Sequence, residues 1–286
     1  MPKKFENFNN PRKNAINGMK KSIPAQSWEK NIYFLNKLRA EIANHPVSKH
    51  PAIQILNDGV IDKESLQQIH LEYRHAIVQV FTDALLMAQF QTKQLEPRLE
   101  SGSKMFPRFL LTLNILDEFG YRPGLDEEGY YSGNPEYAHY PLFEDVLNDF
   151  ELSQSERNEY KPSLISHKVR AYLENSFNDY KAIAALLAVA EEEVILFSPA
   201  LRHATHAVGF DVDSGYYFVH GVSDDATAEA ADDDHENDLW LILAQACTKN
   251  DYDYIRKICF EYCNLWQQFW DKQIDNLKYE PYKKLA

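Results

Sequence analysis

The feature that most constrains this chain is an unbroken apolar run, Ala182 to Ala190, that ends on three consecutive carboxylates, Glu191-Glu192-Glu193. A stretch of Ala, Leu, Ile and Val with no polar face reads as a helix buried on most sides. Other helices must therefore surround it. A carboxylate beside such a run is costly to bury unless it is paired or bound to a cation. The alternative is that the triplet is the polar face of an ordinary helix. The pattern predicts one helix over about 166 to 197, with Pro199 as a kink or an end.

The rest of the chain supports a helical surround. Glycine is scarce, at 10 of 286 residues, and long stretches are rich in Leu, Ala, Glu, Lys and Gln. Apolar residues recur at helical spacing at Ile32, Leu35, Leu38 and Ile42, and again at Leu66, Ile69, Tyr73, Ile77, Val80, Phe81 and Leu85. A third helix starts near Pro107 and runs to Glu118, where Gly120 and Pro123 break it. Shorter or later helices fall at about 141 to 150, 239 to 248 and 252 to 277. Residues 121 to 140, rich in Gly, Pro and Tyr, read as a long loop. The expectation is an all-α bundle of about seven helices in one domain over 28–286, preceded by a basic, flexible tail over 1–27.

Net charge is −13, which argues against nucleic-acid or anionic-membrane partners. No stretch approaches the roughly 20 apolar residues of a membrane span, and the N-terminus has no apolar run. The three cysteines, Cys247, Cys259 and Cys263, form no disulfide framework. A cytoplasmic location is expected. The aromatic stripe Tyr262, Trp266, Phe269 and Trp270 serves either the core or a homodimer interface.

Histidine and carboxylate side chains together suit iron, manganese or zinc. Helical bundles often place an acid and a histidine three residues apart to hold such ions, and Asp232 and His235 have that spacing on one helix face. Each candidate also has an ordinary explanation: a solvated acidic run, a polar helix face, a hydrogen-bonded histidine.

The order of motifs along the chain shifts that balance. Asn44-His45-Pro46 and a Gly-x-Ile-x-x-x-x-Leu-Gln pattern from Gly59 to Gln67 come first. Leu113-Asn114-Ile115-Leu116-Asp117-Glu118-Phe119-Gly120 follows, then His139 in His-x-Pro-Leu-Phe, the small-residue helix with its acidic triplet, and Phe218-x-His220. From Glu41 to Leu277 the chain resembles the haem-oxygenase-like (TenA/PqqC-like) fold group. The closer likeness is to its iron-binding branch of diiron oxidases and oxygenases, which includes the chlamydial protein associating with death domains. The resemblance implies six ligands: Glu118, His139, Glu192, His220, Asp232 and His235. Glu191 and Glu193 are rivals of Glu192. Asp224 is a rival of Asp232, since Thr227 stands where the family has its last histidine and an insertion over 221–231 is inferred.

It further implies two iron ions per chain, with Glu192 as the bridge, Glu118 and His220 mainly on one ion, and His139, Asp232 and His235 on the other. Dioxygen would be the co-substrate and the substrate a small amino-acid-like or fatty-acid-like molecule. The chlamydial relative's para-aminobenzoate synthesis from its own tyrosine is not expected. No lysine lies between Lys181 and Lys249, and no tyrosine between Tyr33 and Tyr73. A non-catalytic binding protein with a degenerate site, or a metal-free TenA/PqqC-type enzyme, is the alternative.

Overall fold

Capping chemistry sets most helix boundaries. The computed structural model describes residues 10–220, 231–275 and 277, the side chains of 231–234 excepted. The helices are α1 (Pro11–Lys21), α2 (Ala25–Ile42), α3 (Pro51–Asn57), α4 (Lys63–Tyr73), α5 (Gln79–Gln91), α6 (Met105–Glu118), α7 (His139–Asp149), α8 (Gln154–Glu159), α9 (Leu164–Glu174), α10 (Tyr180–Ala207), α11 (Tyr216–Val219), α12 (Ala231–Ala246) and α13 (Tyr252–Asp275). A π-helical turn at Arg74–Val78 joins α4 to α5. The one sheet among the described residues is a hairpin of β1 (Tyr121–Leu125) and β2 (Tyr131–Gly133).

Helix α10 is the centre of the bundle. Every residue from Ala182 to Ala190 is buried, and α3, α5, α12 and α13 all pack on it. The chain is thus all-α, as its sequence pattern predicts. The single helix expected over 166 to 197 divides into α9 and α10. Asp179 causes the division, because its carboxylate accepts from the backbone N–H of Lys181 at 2.9 Å and of Ala182 at 3.2 Å and so caps a new helix. Pro199 lies inside α10, which continues to Ala207.

Two further differences have simple causes. The basic N-terminus was expected to be a flexible tail over 1–27, yet its described residues include α1, with Ala15 and Met19 buried one turn apart. Helix α1 packs on α6 and α12, and Arg12 pairs with Asp238 at 2.9 Å. Two apolar residues among many polar ones give too faint a stripe to read. The expected long loop over 121 to 140 contains the hairpin, closed by Asp126, whose Oδ1 accepts from the N–H of Glu128 and Tyr130. Short helices such as α3 and α8 add to the seven expected.

His45 and His50 serve as caps. Each accepts from the backbone N–H two residues on, and each reaches α13 with its other ring nitrogen, His45 to Asn264 at 3.1 Å and His50 to Asp271 at 3.0 Å. The stripe Tyr262, Trp266, Phe269 and Trp270 is buried within one chain, so it is core. All these side chains join one cluster of buried residues that reaches from Ala15 to Trp270.

The role of α1 is testable. Met19→Ala should lower unfolding free energy by about 2–5 kcal/mol, the usual cost of emptying a buried methionine site, read from urea unfolding. A change below about 0.5 kcal/mol, typical of a surface position, would return α1 to the status of a tail.

Candidate metal centre

The site begins at the C-terminal end of α6. Asn114 and Glu118 are one helical turn apart, so both point to the same side, and both are buried. The chain then leaves the helix through Gly120 at φ 79°. A side chain at that position would meet Asn134 O at 2.4 Å and Ala138 N at 2.6 Å. The hairpin therefore folds back directly onto the end of α6, and the returning segment delivers His139 as the first residue of α7. Its Nδ1–H donates to Glu118 Oε1 at 3.0 Å.

His220 arrives from the other side, just after the four-residue helix α11. That helix is pinned through its own residue Tyr217, whose hydroxyl donates to His70 Nε2 at 2.5 Å. The opposite His70 nitrogen donates to Leu66 O at 2.7 Å, which fixes the tautomer. Burial lowers the His70 pKa to about 4, so it stays neutral and keeps accepting from Tyr217. The His139 and His220 rings stand 4.4 Å apart, and Tyr216 lies 4.4 Å from His220.

Glu118, His139 and His220 are all buried and offer one ligand atom each within 4.8 Å of one another. Ligands bonded at about 2.0–2.2 Å to one ion lie roughly 3–4 Å apart, so small side-chain rotations would close the three on a cation. Burial pushes the Glu118 carboxyl up, but the charge and hydrogen bond of His139, with His220 and His235, outweigh it and hold the pKa below its ordinary value. The carboxylate is thus ionised and ready to ligate.

The acidic triplet of α10 fans out as successive helical positions must, about 100° apart. Glu191 faces the cavity that holds Glu118, His139 and His220, and Asn114 Nδ2 donates to its Oε1 at 3.0 Å. Glu192 faces away, hydrogen-bonded to Glu236 with Arg39 at 4.0 Å. Burial pushes both carboxyls of that pair up. Glu193 points to a third side, where Tyr73 Oη and Trp270 Nε1 each donate to it at 2.9 Å. Burial raises its proton affinity, to a pKa of about 8, against the pull of those donors.

Of the residues singled out in the sequence, the structure thus brings Glu118, His139 and His220 together. His235 is buried on α12 and close enough for its charge to act on Glu118. Of the acidic triplet, Glu191 and not Glu192 lines the cavity. His139 lies with Glu118 and His220. The side chain of Asp232, and Asp224 and Thr227 entirely, lie outside the described residues. Asn114 was visible in its motif but was given no role there.

Two imidazoles and two carboxylates in one cavity fit iron, manganese or zinc better than calcium or magnesium. Asn114 Oδ1 is buried without a hydrogen-bond partner, which leaves its amide oriented by Glu191 alone. Ile77, Val78, Phe81 and Val194 close the cavity with apolar walls. The three cysteines are elsewhere, all buried, with thiol pKa values raised by burial.

No family model matches this chain, and no curated sequence does. Solved structures do. A CADD-like protein of unknown function from Nostoc punctiforme is 15% identical, with a TM-score of 0.59 over 88% of this chain and 99% of its own. A TenA homolog from Pseudomonas syringae pv. tomato is 11% identical, with a TM-score of 0.57 over 87% and 93%. A domain of unknown function with a heme oxygenase-like fold from Shewanella denitrificans is 13% identical, with a TM-score of 0.55 over 88% and 93%. The chain has this haem-oxygenase-like, TenA-like helical fold.

Two substitutions probe the geometry. Glu191→Gln should weaken Co(II) binding by about 10–100-fold, on the scale of disrupted metal sites, while Glu192→Gln leaves it unchanged; optical titration reads both, and the reverse order would restore Glu192 to the site. Gly120→Ala should displace His139 and weaken Co(II) binding by about tenfold or more. Unchanged binding would mean that the return of the hairpin onto α6 does not position the histidine.

Proposed function

We propose that this protein is a non-haem diiron oxidase or oxygenase that uses dioxygen to oxidise a small amino-acid-like or fatty-acid-like substrate. The observation that carries this reading is the buried set Glu118, His139 and His220, with Glu191 in the same cavity. One ion would be held by that trio. Glu191 would serve a second, with His235 and, as the resemblance implies, Asp232 as its further ligands. Bound iron supplies electron transfer and open positions for dioxygen.

The protein's own residues do the rest. Asn114 holds the Glu191 carboxylate in orientation through its amide N–H. The His70–Tyr217 hydrogen bond holds α11 and therefore the His220 ring. Ile77, Val78, Phe81 and Val194 give the cavity its apolar walls. The cavity measures ≈ 30 Å³, room for about two water-sized molecules. It accommodates dioxygen, but an amino acid or acyl chain needs displacement of its walls.

Thiamin chemistry of the TenA kind draws no support from the site. It relies on a nucleophilic cysteine, and no cysteine lines the cavity. Burial pushes the Cys247 and Cys263 thiols up to about 12.

Anaerobic loading with ferrous salt followed by iron quantification tests the proposal. Two irons per chain are expected, with loss of uptake in His139→Ala and Glu118→Ala. Less than about one iron per chain, or uptake unchanged by both substitutions, would overturn the reading in favour of a non-catalytic or metal-free protein.

A further inference from the structure

One turn of the chain touches both the metal cavity and the solvent. The π-helical turn Arg74–Val78 gives Ile77 and Val78 to the cavity wall, and turns of this kind are frequent at functional sites. The same turn carries His75, which is half-buried and meets the exposed His167 of α9, with His75 Nε2 2.9 Å from His167 Nδ1. The turn packs on α9 along this seam. Neither ring caps a helix or holds a buried hydroxyl, as His45, His50 and His70 do.

The pair does not have the geometry of a good hydrogen bond. Its ring centres are 4.4 Å apart and its planes cross at 77°. A straight N–H···N bond of that length would set the centres roughly 5 Å apart. Two imidazoles bound to one ion at a right angle, through nitrogens at about 2.0–2.1 Å, have those nitrogens about 2.9 Å apart and their centres about 4.4 Å apart. The two histidines of the cavity, His139 and His220, show the same arrangement, at 4.4 Å and 74°.

The electrostatics also suit a cation. Burial first, then the His167 ring and Arg170, lower the His75 pKa to about 4, so the ring is neutral and keeps a lone pair to give. Glu72 and Glu174 act in the opposite sense. Arg170 is itself engaged, its Nε with Glu174 at 2.8 Å and its Nη1 with Gln79 at 3.1 Å. Imidazole ligands suit nickel, copper and zinc, and a right angle between them favours the first two.

We propose that His75 and His167 form an outer metal site for one Ni(II) or Cu(II) ion, which ties the π turn to α9. The site is independent of the iron reading above. Water fills the positions that the two imidazoles leave open. The ion fixes the turn that carries Ile77 and Val78, so the cavity wall stiffens when the outer site is filled.

Calorimetric titration of the full chain with Ni(II) tests the site, with the melting temperature as a second reading. Wild type should bind about one equivalent more than His167→Ala, which removes only an exposed ring. Nickel should also raise the melting temperature of wild type by a few degrees more than that of the variant. Glu118→Ala, which breaks the cavity trio, should keep the outer equivalent; if it does not fold, His167→Ala decides alone. Equal stoichiometry in wild type and His167→Ala would overturn the proposal. So would loss of all nickel binding in folded Glu118→Ala, which would assign the ion to the cavity. Either result leaves the iron reading standing.

Discussion

Three adjacent carboxylates at the end of a fully buried helical run are the constraint on which the rest of this structure depends. Helix α10 is enclosed from Ala182 through Ala190, and Glu191, Glu192 and Glu193 leave it in three directions, the first and third buried and the second half-buried. Burying a charge without compensation costs several kcal/mol, and each direction supplies a different answer. Glu192 shares a hydrogen bond with Glu236 beside Arg39. Glu193 receives the Tyr73 hydroxyl and the Trp270 indole N–H. Glu191 receives the Asn114 amide and shares a cavity with Glu118 and two histidines.

The other residues of this cavity come from the ends of their elements. None of Glu118, His139 or His220 sits in the middle of a long helix. Glu118 ends α6, His139 begins α7, and His220 follows α11. Such positions depend on how connections fold, and each has its own device: Gly120 admits the returning hairpin, and the neutral His70 anchors Tyr217. The scaffold can thus be rigid while its site is assembled from turns.

The fold was largely legible because its strongest signals are local. Apolar periodicity placed α2, α4–α5, α6 and α13, and the Ala182–Ala190 run identified the central helix. What escaped was set by weak or tertiary signals. Helix α1 fully buries only Ala15 and Met19, and α10 runs on through Pro199. At the site, Glu118, His139 and His220 were each found from their motifs, although His139 and His220 are 81 residues apart. The ungapped count from Lys168-Val169 through Asp179 to the triplet left Glu191 and Glu193 open beside Glu192, because sequence does not fix helix phase to one residue. A residue step turns a side chain by about 100°, so one step separates the cavity-facing Glu191 from Glu192, which faces Arg39.

Anomalous diffraction at the iron edge from iron-loaded crystals tests the central claim most directly. The account predicts a peak within bonding distance of Glu118, His139 and His220, with Glu191 as a further ligand and Glu192 still on Arg39 and Glu236. A peak held by Glu192, or iron bound without His139 and His220, would contradict it.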